Sequence, residues 1–390
     1  MEHLRENLQK HMEYLCLRLG SKHCGSPELE RAGEYIEAYY RSLGLPTRRE
    51  EFPVRGWTFR GFSLYDMTER REVPAATACF FSNAVYIEDV PLWIGWQDIE
   101  RLDTLPVRGR LCFVAAWHNL GNVFGYNGVA EKLDAMGAAA AIFISPHQIH
   151  TDLAPSTKIE RSPFLKQLGA CAVAQAGAIY IAGHRNDRYA LKIDAECFDT
   201  TAFNVIARVG NGPRRAAVGA HYDTTPLVQG AQDNIGGTCV LMELARLLKD
   251  EADGWSVDFA AFSAEEYIPK LFPPGSGDYV ERHRDENLRW YLNIDDFAGY
   301  FHVPVIHASH LDKLPPMRFP YEWEDITESG RYSGDDKAFG YAGIPTVWIA
   351  KKNCFFELHT AEDNLTYTDF DRMVEGTAEY MDLYRQLLQA

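Results

Sequence analysis

The chain has 390 residues, more than the roughly 100–200 residues of a typical domain, and therefore predicts two units or one domain with a large insertion. Hydrophobic residues make up 46% of the sequence and charged residues 24%, a globular composition that excludes a mainly disordered chain. With 55 acidic and 39 basic residues, the net charge of -16 disfavours nucleic acid and anionic membranes as partners.

The N-terminal segment MEHLRENLQKHMEYLCLRLG carries charges throughout, where a signal peptide would need an apolar stretch. We therefore expect a cytoplasmic protein, or a secreted one if a leader has been removed. No apolar run approaches the roughly 18 residues of a membrane span. Eight cysteines without a C-x-x-C pair predict buried free thiols rather than disulfides.

The first predicted helix follows Ser26, a good N-cap, and Pro27, which suits the first helical turn. Its apolar residues recur at helical spacing until Gly44 ends it, and PTRREEFPV then reads as a strand. From about residue 57 to residue 199 the texture changes to short apolar runs broken by Gly and Pro. ACFFSNAVYI, GRLCFVAAW, AAAAIFIS and GAIYIAG predict strands, and GYNGVAEKLDAMG predicts a helix.

From FNVIARVG onward, strand-like and helix-like segments alternate. RAAVGAHYD precedes a helical GGTCVLMELARLLKD, and further strands are predicted at VDFAAFSAEE, WYLNIDD, VPVIHAS and IPTVWIA before a closing helix. This alternation predicts an α/β fold, a three-layer sandwich with a mainly parallel central sheet. We divide the chain into residues 1–60 and 200–390 of one domain and a β-rich insert at residues 61–199.

Imidazoles and carboxylates gather at one predicted edge of that sheet, where ligands of open α/β sheets bind. Five separate segments deliver them: His221 and Asp223, Asp233, Glu265 and Glu266, Asp295, and His359. Each one alone has an ordinary explanation, such as a structural histidine, a helix N-cap at Asp233 or a solvated turn at the paired glutamates. Burial of adjacent acids at the end of an apolar strand is costly without a cation, however.

Zinc accounts for the whole set, because imidazole and carboxylate groups are ligands that Zn²⁺ accepts. Two zinc ions about 3.5–4 Å apart can share one bridging carboxylate and one bridging water. Such a centre needs a bridge, two further ligands for each metal and one uncoordinated base. The sequence offers five ligands and a spare glutamate.

The motifs HYD, GAQDNIGG, FSAEE, NIDDFAG and LHTAED, in this order, resemble the zinc aminopeptidases of metallopeptidase family twenty-eight (clan MH). The resemblance covers roughly residues 20–55 and 200–390. It implies that Asp233 bridges two Zn²⁺ ions, with His221 and Asp295 at one metal and Glu266 and His359 at the other. It also implies a cis peptide bond after Asp233. The insert resembles a protease-associated domain.

The same resemblance implies that Glu265 is the general base and that Asp223 orients the His221 imidazole. Three features depart from the family pattern: YIPKLFPPGS is longer than usual, Leu358 stands in place of a tyrosine, and Asp336 stands in place of a histidine. The side chain that stabilises the oxyanion therefore stays unassigned.

Three functions are compatible with this fold. The first is an aminopeptidase acting on peptides, whose acidic centre, with a contribution from the stretch YEWEDI, suits a cationic amine. The second is a carboxypeptidase-like hydrolase of acidic C-terminal substrates, for which Arg331 is a candidate carboxylate partner. The third is a receptor-like binding module without catalysis. The filled ligand positions favour an enzyme, and among enzymes we favour the aminopeptidase.

Overall fold

The structure is a computed structural model that describes residues 2–115, 124–144, 165–267, 272–296, 303–330, 332, 334–352 and 358–389. The helices of these residues are α1 (Leu4–Met12), α2 (Pro27–Ser42), α3 (Phe124–Ala135), α4 (Gln175–Gly183), α5 (Gly236–Leu247), α6 (Pro274–Arg282), α7 (Asp336–Tyr341) and α8 (Phe370–Leu387). The strands are β1 (Thr47–Asp66), β2 (Arg71–Glu72), β3 (Ala76–Ala78), β4 (Val85–Asp89), β5 (Leu92–Ile94), β6 (Leu111–Val114), β7 (Ala140–Ile144), β8 (Gly169–Val173), β9 (Tyr189–Gly210), β10 (Arg214–His221), β11 (Trp255–Phe262), β12 (Leu288–Asn293), β13 (Val303–Ala308), β14 (Trp323–Asp325) and β15 (Thr346–Lys352).

The chain forms two compact units. The first unit comprises residues 1–54, 200–354 and 362–390, and the second comprises residues 55–199 and 355–361. The long strands β1 and β9 contribute residues to both units.

The sheet of the first unit has the strand order β14-β13-β15-β12-β10-β11-β9-β1. Its central strands are parallel, since β10 pairs in parallel with both β11 and β12, and β12 pairs in parallel with β15. Strands β9 and β13 run antiparallel to their partners β11 and β15. The predicted α/β fold with a mainly parallel sheet is confirmed.

Helices cover both faces of this sheet. On one face α1, α5 and α8 pack on each other over a core that includes Leu241, Trp290 and Tyr384. On the other face α6 and α7 pack together, and Phe339 stacks on Tyr291 with ring centroids 3.7 Å apart. Strands buried on both faces are near-continuous apolar runs, as in β11, where every residue is buried.

The predicted helix after Ser26 is confirmed as α2. The Ser26 side chain accepts a hydrogen bond from the Leu29 amide at 3.2 Å, and Pro27 occupies the first turn. Gly44, with φ at +75°, follows the helix end. Helix α1 is not among the predicted helices. Leu4, Leu8 and Met12 form its buried apolar face, and the other six residues of the helix are charged or polar.

The second unit contains a sheet in the order β3-β8-β7-β6-β5, whose strands β5 to β8 are mutually parallel. The predicted strand GAIYIAG is wrong, because residues 175–183 form helix α4. Gly177 and Ile181 are buried at helical spacing, whereas Ile179 is 62% exposed. A short apolar run without alternation does not separate a strand from a helix.

The run ACFFSNAVYI is likewise not one strand. Strand β3 ends at Ala78 and β4 begins at Val85, with a turn between them in which the Ser82 amide donates to the Cys79 carbonyl at 3.0 Å. None of the seven cysteines of the described residues forms a disulfide, and all of them except Cys197 are buried, as predicted. Among the helices that the structure describes, none has the length and apolarity that crossing a membrane requires.

Candidate metal centre

His221 ends strand β10 at the carboxyl edge of the sheet and is 1% exposed. Its Nδ1 lies 3.1 Å from the backbone carbonyl oxygen of Asp223, which favours the tautomer protonated at Nδ1. Thr238 in α5 donates a hydrogen bond to the His221 carbonyl at 2.6 Å. The imidazole of His221 is therefore held by its own turn and the His221 backbone by the next helix, with Nε2 left to face the centre.

Asp233 lies in the turn that leads from Gly230 into α5. The backbone is not helical at Asp233 and Asn234, and the peptide bond between them is cis, as the family resemblance implies. The Asn234 side-chain amide donates to the Ile294 carbonyl at 2.7 Å, which ties this turn to the end of β12. A Cβ on Gly237 would lie 2.2 Å from the Asn234 Oδ1 atom, so a glycine is required there.

Asp295 follows β12, and the paired glutamates follow β11. Asp223 accepts hydrogen bonds from the backbone amides of Glu265 at 2.9 Å and Glu266 at 3.0 Å. The Trp348 indole donates to the Asp295 carbonyl at 3.2 Å. All of these acidic side chains are at least nine-tenths buried.

The structure brings the predicted ligands together in two groups that share Asp233. One group is His221, Asp233 and Asp295, and the other is Asp233, Glu266 and His359. Within each group the candidate ligand atoms all lie within 4.8 Å of one another. The sharing of Asp233 is the arrangement that a bridging carboxylate needs.

The first group fits a zinc ion. The His221 Nε2 atom is buried without a hydrogen-bond partner, and it lies 3.2 Å from an Asp233 oxygen and 3.3 Å from an Asp295 oxygen. Tetrahedral ligands with zinc bonds of about 2.0–2.2 Å are roughly 3.4 Å apart, close to these separations. Burial lowers the pKa of His221, and the surrounding carboxylates, led by Asp295, raise it by more, to well above its usual range.

Glu265 is buried beside the first group but belongs to neither set of three. Its Oε2 atom lies 4.0 Å from His221 Nε2. Gly334 lies close to the carboxylates of Asp295 and Glu265. A Cβ at Gly334 would be 2.7 Å from Asp295 Oδ2 and 3.5 Å from Glu265 Oε1. The carboxylate of Glu265 thus borders the metal ligands from a separate position.

Asp223 contacts both the His221 imidazole and the loop that carries the paired glutamates. Its carboxylate oxygens accept the amides of Glu265 and Glu266, and the nearer one lies 3.6 Å from His221 Nδ1. The backbone carbonyl of Asp223 is the closer partner of that imidazole, at 3.1 Å. Asp223 therefore joins two ligand-bearing loops.

The structure also describes several of the positions that depart from the family pattern. Asp336, in place of a histidine, is fully buried and accepts a hydrogen bond from the Gly334 amide at 3.0 Å. Leu358 is buried. In the stretch YEWEDI, Glu324 lies 3.4 Å from His307 on the neighbouring strand β13. Arg331 and residues 268–271 of the longer loop lie outside the described residues.

Sequence reasoning missed three residues near the centre: Gly334, Asp335 and Asp363. Asp335 is 1% exposed, and burial raises its pKa to about 7, an effect that His221 partly offsets. Asp363 accepts hydrogen bonds from the amides of Gln232 and Asp233. The TAED sequence after His359 was the available signal for Asp363, but the contact spans 130 residues.

Comparison with known proteins identifies the segment that carries the site. Residues 204–381 match the family model described as Peptidase family M28. This segment belongs to peptidase family M28. Aminopeptidase YwaD of Bacillus subtilis (strain 168) is 42% identical to the chain over 178 residues, which cover 41% of this chain and 38% of that protein. The match therefore spans well under half of that relative's length.

Solved structures of similar proteins agree with the M28 fold. A peptidase M28 precursor from Shewanella amazonensis superposes with a TM-score of 0.77 at 18% identity, covering 99% of this chain and 95% of that chain. BSAP, a zinc aminopeptidase from Bacillus subtilis, superposes with a TM-score of 0.72 at 19% identity, covering 98% of this chain and 94% of that chain. The aminopeptidase from Aneurinibacillus sp. strain AM-1 superposes with a TM-score of 0.68 at 20% identity, covering 98% of this chain and 96% of that chain. At these identities the likeness establishes the fold.

Proposed function

We propose that the chain is a zinc-dependent aminopeptidase with two Zn²⁺ ions, hydrolysing N-terminal residues from peptides. The observation that carries the proposal is the buried His221 Nε2 atom, which faces one oxygen each of Asp233 and Asp295. A single imidazole N–H cannot point at both oxygens, whereas a metal ion accepts all three atoms. The M28 membership of residues 204–381 and the names of the relatives support the same conclusion.

In this proposal His221 and Asp295 would hold one ion, Glu266 and His359 would hold the other, and Asp233 would be shared by both. Bound zinc supplies a Lewis acid that polarises the peptide carbonyl and lowers the pKa of a water molecule. The amides of Glu265 and Glu266 are fixed by the Asp223 carboxylate, so the base and one ligand are positioned together.

Glu265 is the general base of the proposal. Its carboxylate takes the proton of the attacking water and returns it to the leaving amine as the peptide bond breaks. Its neighbour Glu266 belongs to a metal group while Glu265 does not, which matches this division of roles. The density of carboxylates favours a substrate with a cationic amino group over one with a C-terminal carboxylate.

The two glutamates provide a matched test of the roles. Glu265→Gln should retain two zinc ions per chain and lower kcat by about 10²–10⁴-fold, the usual contribution of a positioned base. Glu266→Gln should lose zinc as well as activity. Zinc is measured by atomic emission on desalted protein, and turnover is measured on leucine para-nitroanilide. Equal zinc loss in both variants would contradict the role given to Glu265.

The proposal retains the predicted organisation, with a catalytic domain from residues 1–60 and 200–390 and a protease-associated-like insert at 61–199.

A further inference from the structure

The turn that carries Asp233 needs hydrogen-bond partners from outside itself. Asp233 and Asn234 have φ/ψ values of −116°/86° and −138°/39°, so the turn does not form a regular helical ladder. Backbone amides buried in such a turn must find other acceptors. Gln232, Asp233 and Asn234 are all buried.

Asp363 supplies two of those acceptors. It is fully buried, its Oδ1 atom accepts a hydrogen bond from the Gln232 amide at 2.7 Å, and its Oδ2 atom accepts one from the Asp233 amide at 3.2 Å. Hydrogen bonds to an ionised carboxylate are roughly twice as strong as neutral ones. One carboxylate therefore fixes two consecutive peptide groups, the second of which belongs to the shared metal ligand.

A buried cation lies close to this carboxylate. Lys22 is fully buried, and its ammonium group donates to the backbone carbonyls of Leu15, Gly20 and Gln229. Burial lowers the pKa of Lys22 to about 8, an effect that Asp363 partly offsets. The Gln229 side chain also accepts from the Leu365 amide at 3.1 Å. Gln229, which directly precedes this turn, is thus held by both Lys22 and Leu365.

The arrangement repeats what Asp223 does at the other ligand-bearing loop. Asp223 accepts the amides of Glu265 and Glu266 at 2.9 and 3.0 Å, just as Asp363 accepts those of Gln232 and Asp233. Each carboxylate comes from a distant part of the chain and binds two successive amides, at least one of them on a metal-group residue.

We propose that Asp363 is a positioning residue for the metal centre, which fixes the backbone of Asp233 so that its carboxylate is placed between the two metal groups. The inference rests on the proposed function, because it assigns Asp363 a role in the zinc site. Asp363 acts through Asp233: its two oxygens accept backbone amides, and it belongs to neither metal group. Substitution of groups that orient ligands typically weakens metal affinity about 10–100-fold.

The test compares Asp363→Asn with Asp134→Asn in the full-length chain. Asp134 makes the same kind of contact and belongs to neither metal group, accepting the amides of Lys166, Gln167 and Leu168 at 2.8–3.0 Å. An asparagine keeps the shape but presents one acceptor in place of two. Zinc affinity is measured by competition with a chromogenic chelator, and folding by circular dichroism and thermal melting.

We expect Asp363→Asn to weaken binding of at least one zinc ion about 10–100-fold, with Asp134→Asn at the wild-type zinc affinity. Wild-type zinc affinity in a folded Asp363→Asn variant would overturn the inference, and so would an equal loss of affinity in both variants. If Asp363→Asn does not fold, Asp363→Glu takes its place. That variant keeps the charge near Lys22 but displaces the two oxygens, and the same weakening is expected.

Failure of the proposed function is distinguishable from failure of this inference. A wild-type chain that binds two zinc ions but cleaves no aminoacyl amide would contradict the aminopeptidase, while the zinc affinities of the variants would still decide the role of Asp363. A wild-type chain that binds no zinc would overturn both.

Discussion

Two buried charged regions differ in what balances their carboxylates. Asp258, in the middle of β11, is fully buried and lies within 3.1 Å of guanidinium nitrogens of Arg48, Arg208 and Arg215. The candidate metal centre, beyond the end of the same strand, gathers its carboxylates around His221 and His359. Guanidinium groups are permanent cations, whereas neutral imidazoles are metal ligands.

The kind of group that surrounds the buried carboxylates distinguishes a structural ionic cluster from a candidate metal site. Burial raises the pKa of Asp258, and the arginines, led by Arg208, lower it by more, so that it lies below the usual range. The Asp258 cluster is therefore complete with protein charges alone. We expect substitutions there to change the stability of the fold and substitutions at the centre to change zinc binding.

The largest effect is expected from Asp258→Asn. Removing this charge leaves three arginines, one of them only 13% exposed, beside a neutral side chain. Breaking a buried ion pair from one side typically costs about 3–5 kcal/mol. Urea unfolding should show this loss, while zinc per folded chain stays at the wild-type value. Zinc loss in a variant that is still folded would erase the distinction between the two regions.

Gly334→Ala should weaken zinc binding with little loss of stability, the reverse of what we expect for Asp258→Asn. The new methyl group would lie 2.7 Å from Asp295 Oδ2, so the candidate ligand must move. We expect zinc affinity to fall about 10–100-fold with a small change in melting temperature. Gly61→Ala is the control, because a Cβ there has no atom within 4 Å. Unchanged zinc affinity in Gly334→Ala would mean that Asp295 is not held at the ion.

The smallest effect is expected at Glu243, a second buried carboxylate whose charge is balanced by protein groups. Glu243 in α5 is fully buried; burial raises its pKa, and His11, whose Nε2 lies 3.5 Å from Glu243 Oε1, together with hydrogen bonds from Arg246, Tyr39 and Asn7, lowers it by more, to about 2. Because the folded-state pKa is depressed, the stabilisation is present above the unfolded pKa of about 4.5 and is lost as the pH falls toward 2.

Glu243→Gln should therefore lower the free energy of unfolding by about 1–3 kcal/mol at pH 7. Its difference from wild type should shrink between about pH 4.5 and pH 2. Urea unfolding of both proteins across this range, with zinc content followed in parallel at pH 7, is the measurement. A difference that does not vary with pH would contradict the charge-based explanation.

The alternation of elements in the first unit could be predicted from the sequence because buried strands and amphipathic helices differ in period and length. Strands β10 to β12 and helix α5 follow that pattern, and the ends of those strands indicated where His221, Glu265 and Asp295 would lie. Helix α4 was predicted as a strand, because Ala, Gly, Ile and Tyr in a short run carry no period.

The supporting residues of the centre could not be predicted in the same way. The contact of Asp363 with the Asp233 amide joins residues 130 positions apart, and the space at Gly334 depends on the final position of Asp295. Such contacts arise from tertiary packing and leave no local pattern. The proposed ligands could be selected from the sequence because each one ends, precedes or follows a recognisable element.

Zinc content measured together with hydrolysis tests directly whether the chain is an aminopeptidase that uses two zinc ions. The wild-type chain is assayed for zinc per chain and for cleavage of a panel of aminoacyl para-nitroanilides, before and after chelation, with the N-acetylated amides as controls. We expect two zinc ions per chain and cleavage that stops on chelation, returns with zinc and is absent for the acetylated substrates. A chain that binds no zinc, or that cleaves equally well after its zinc is removed, would contradict this expectation.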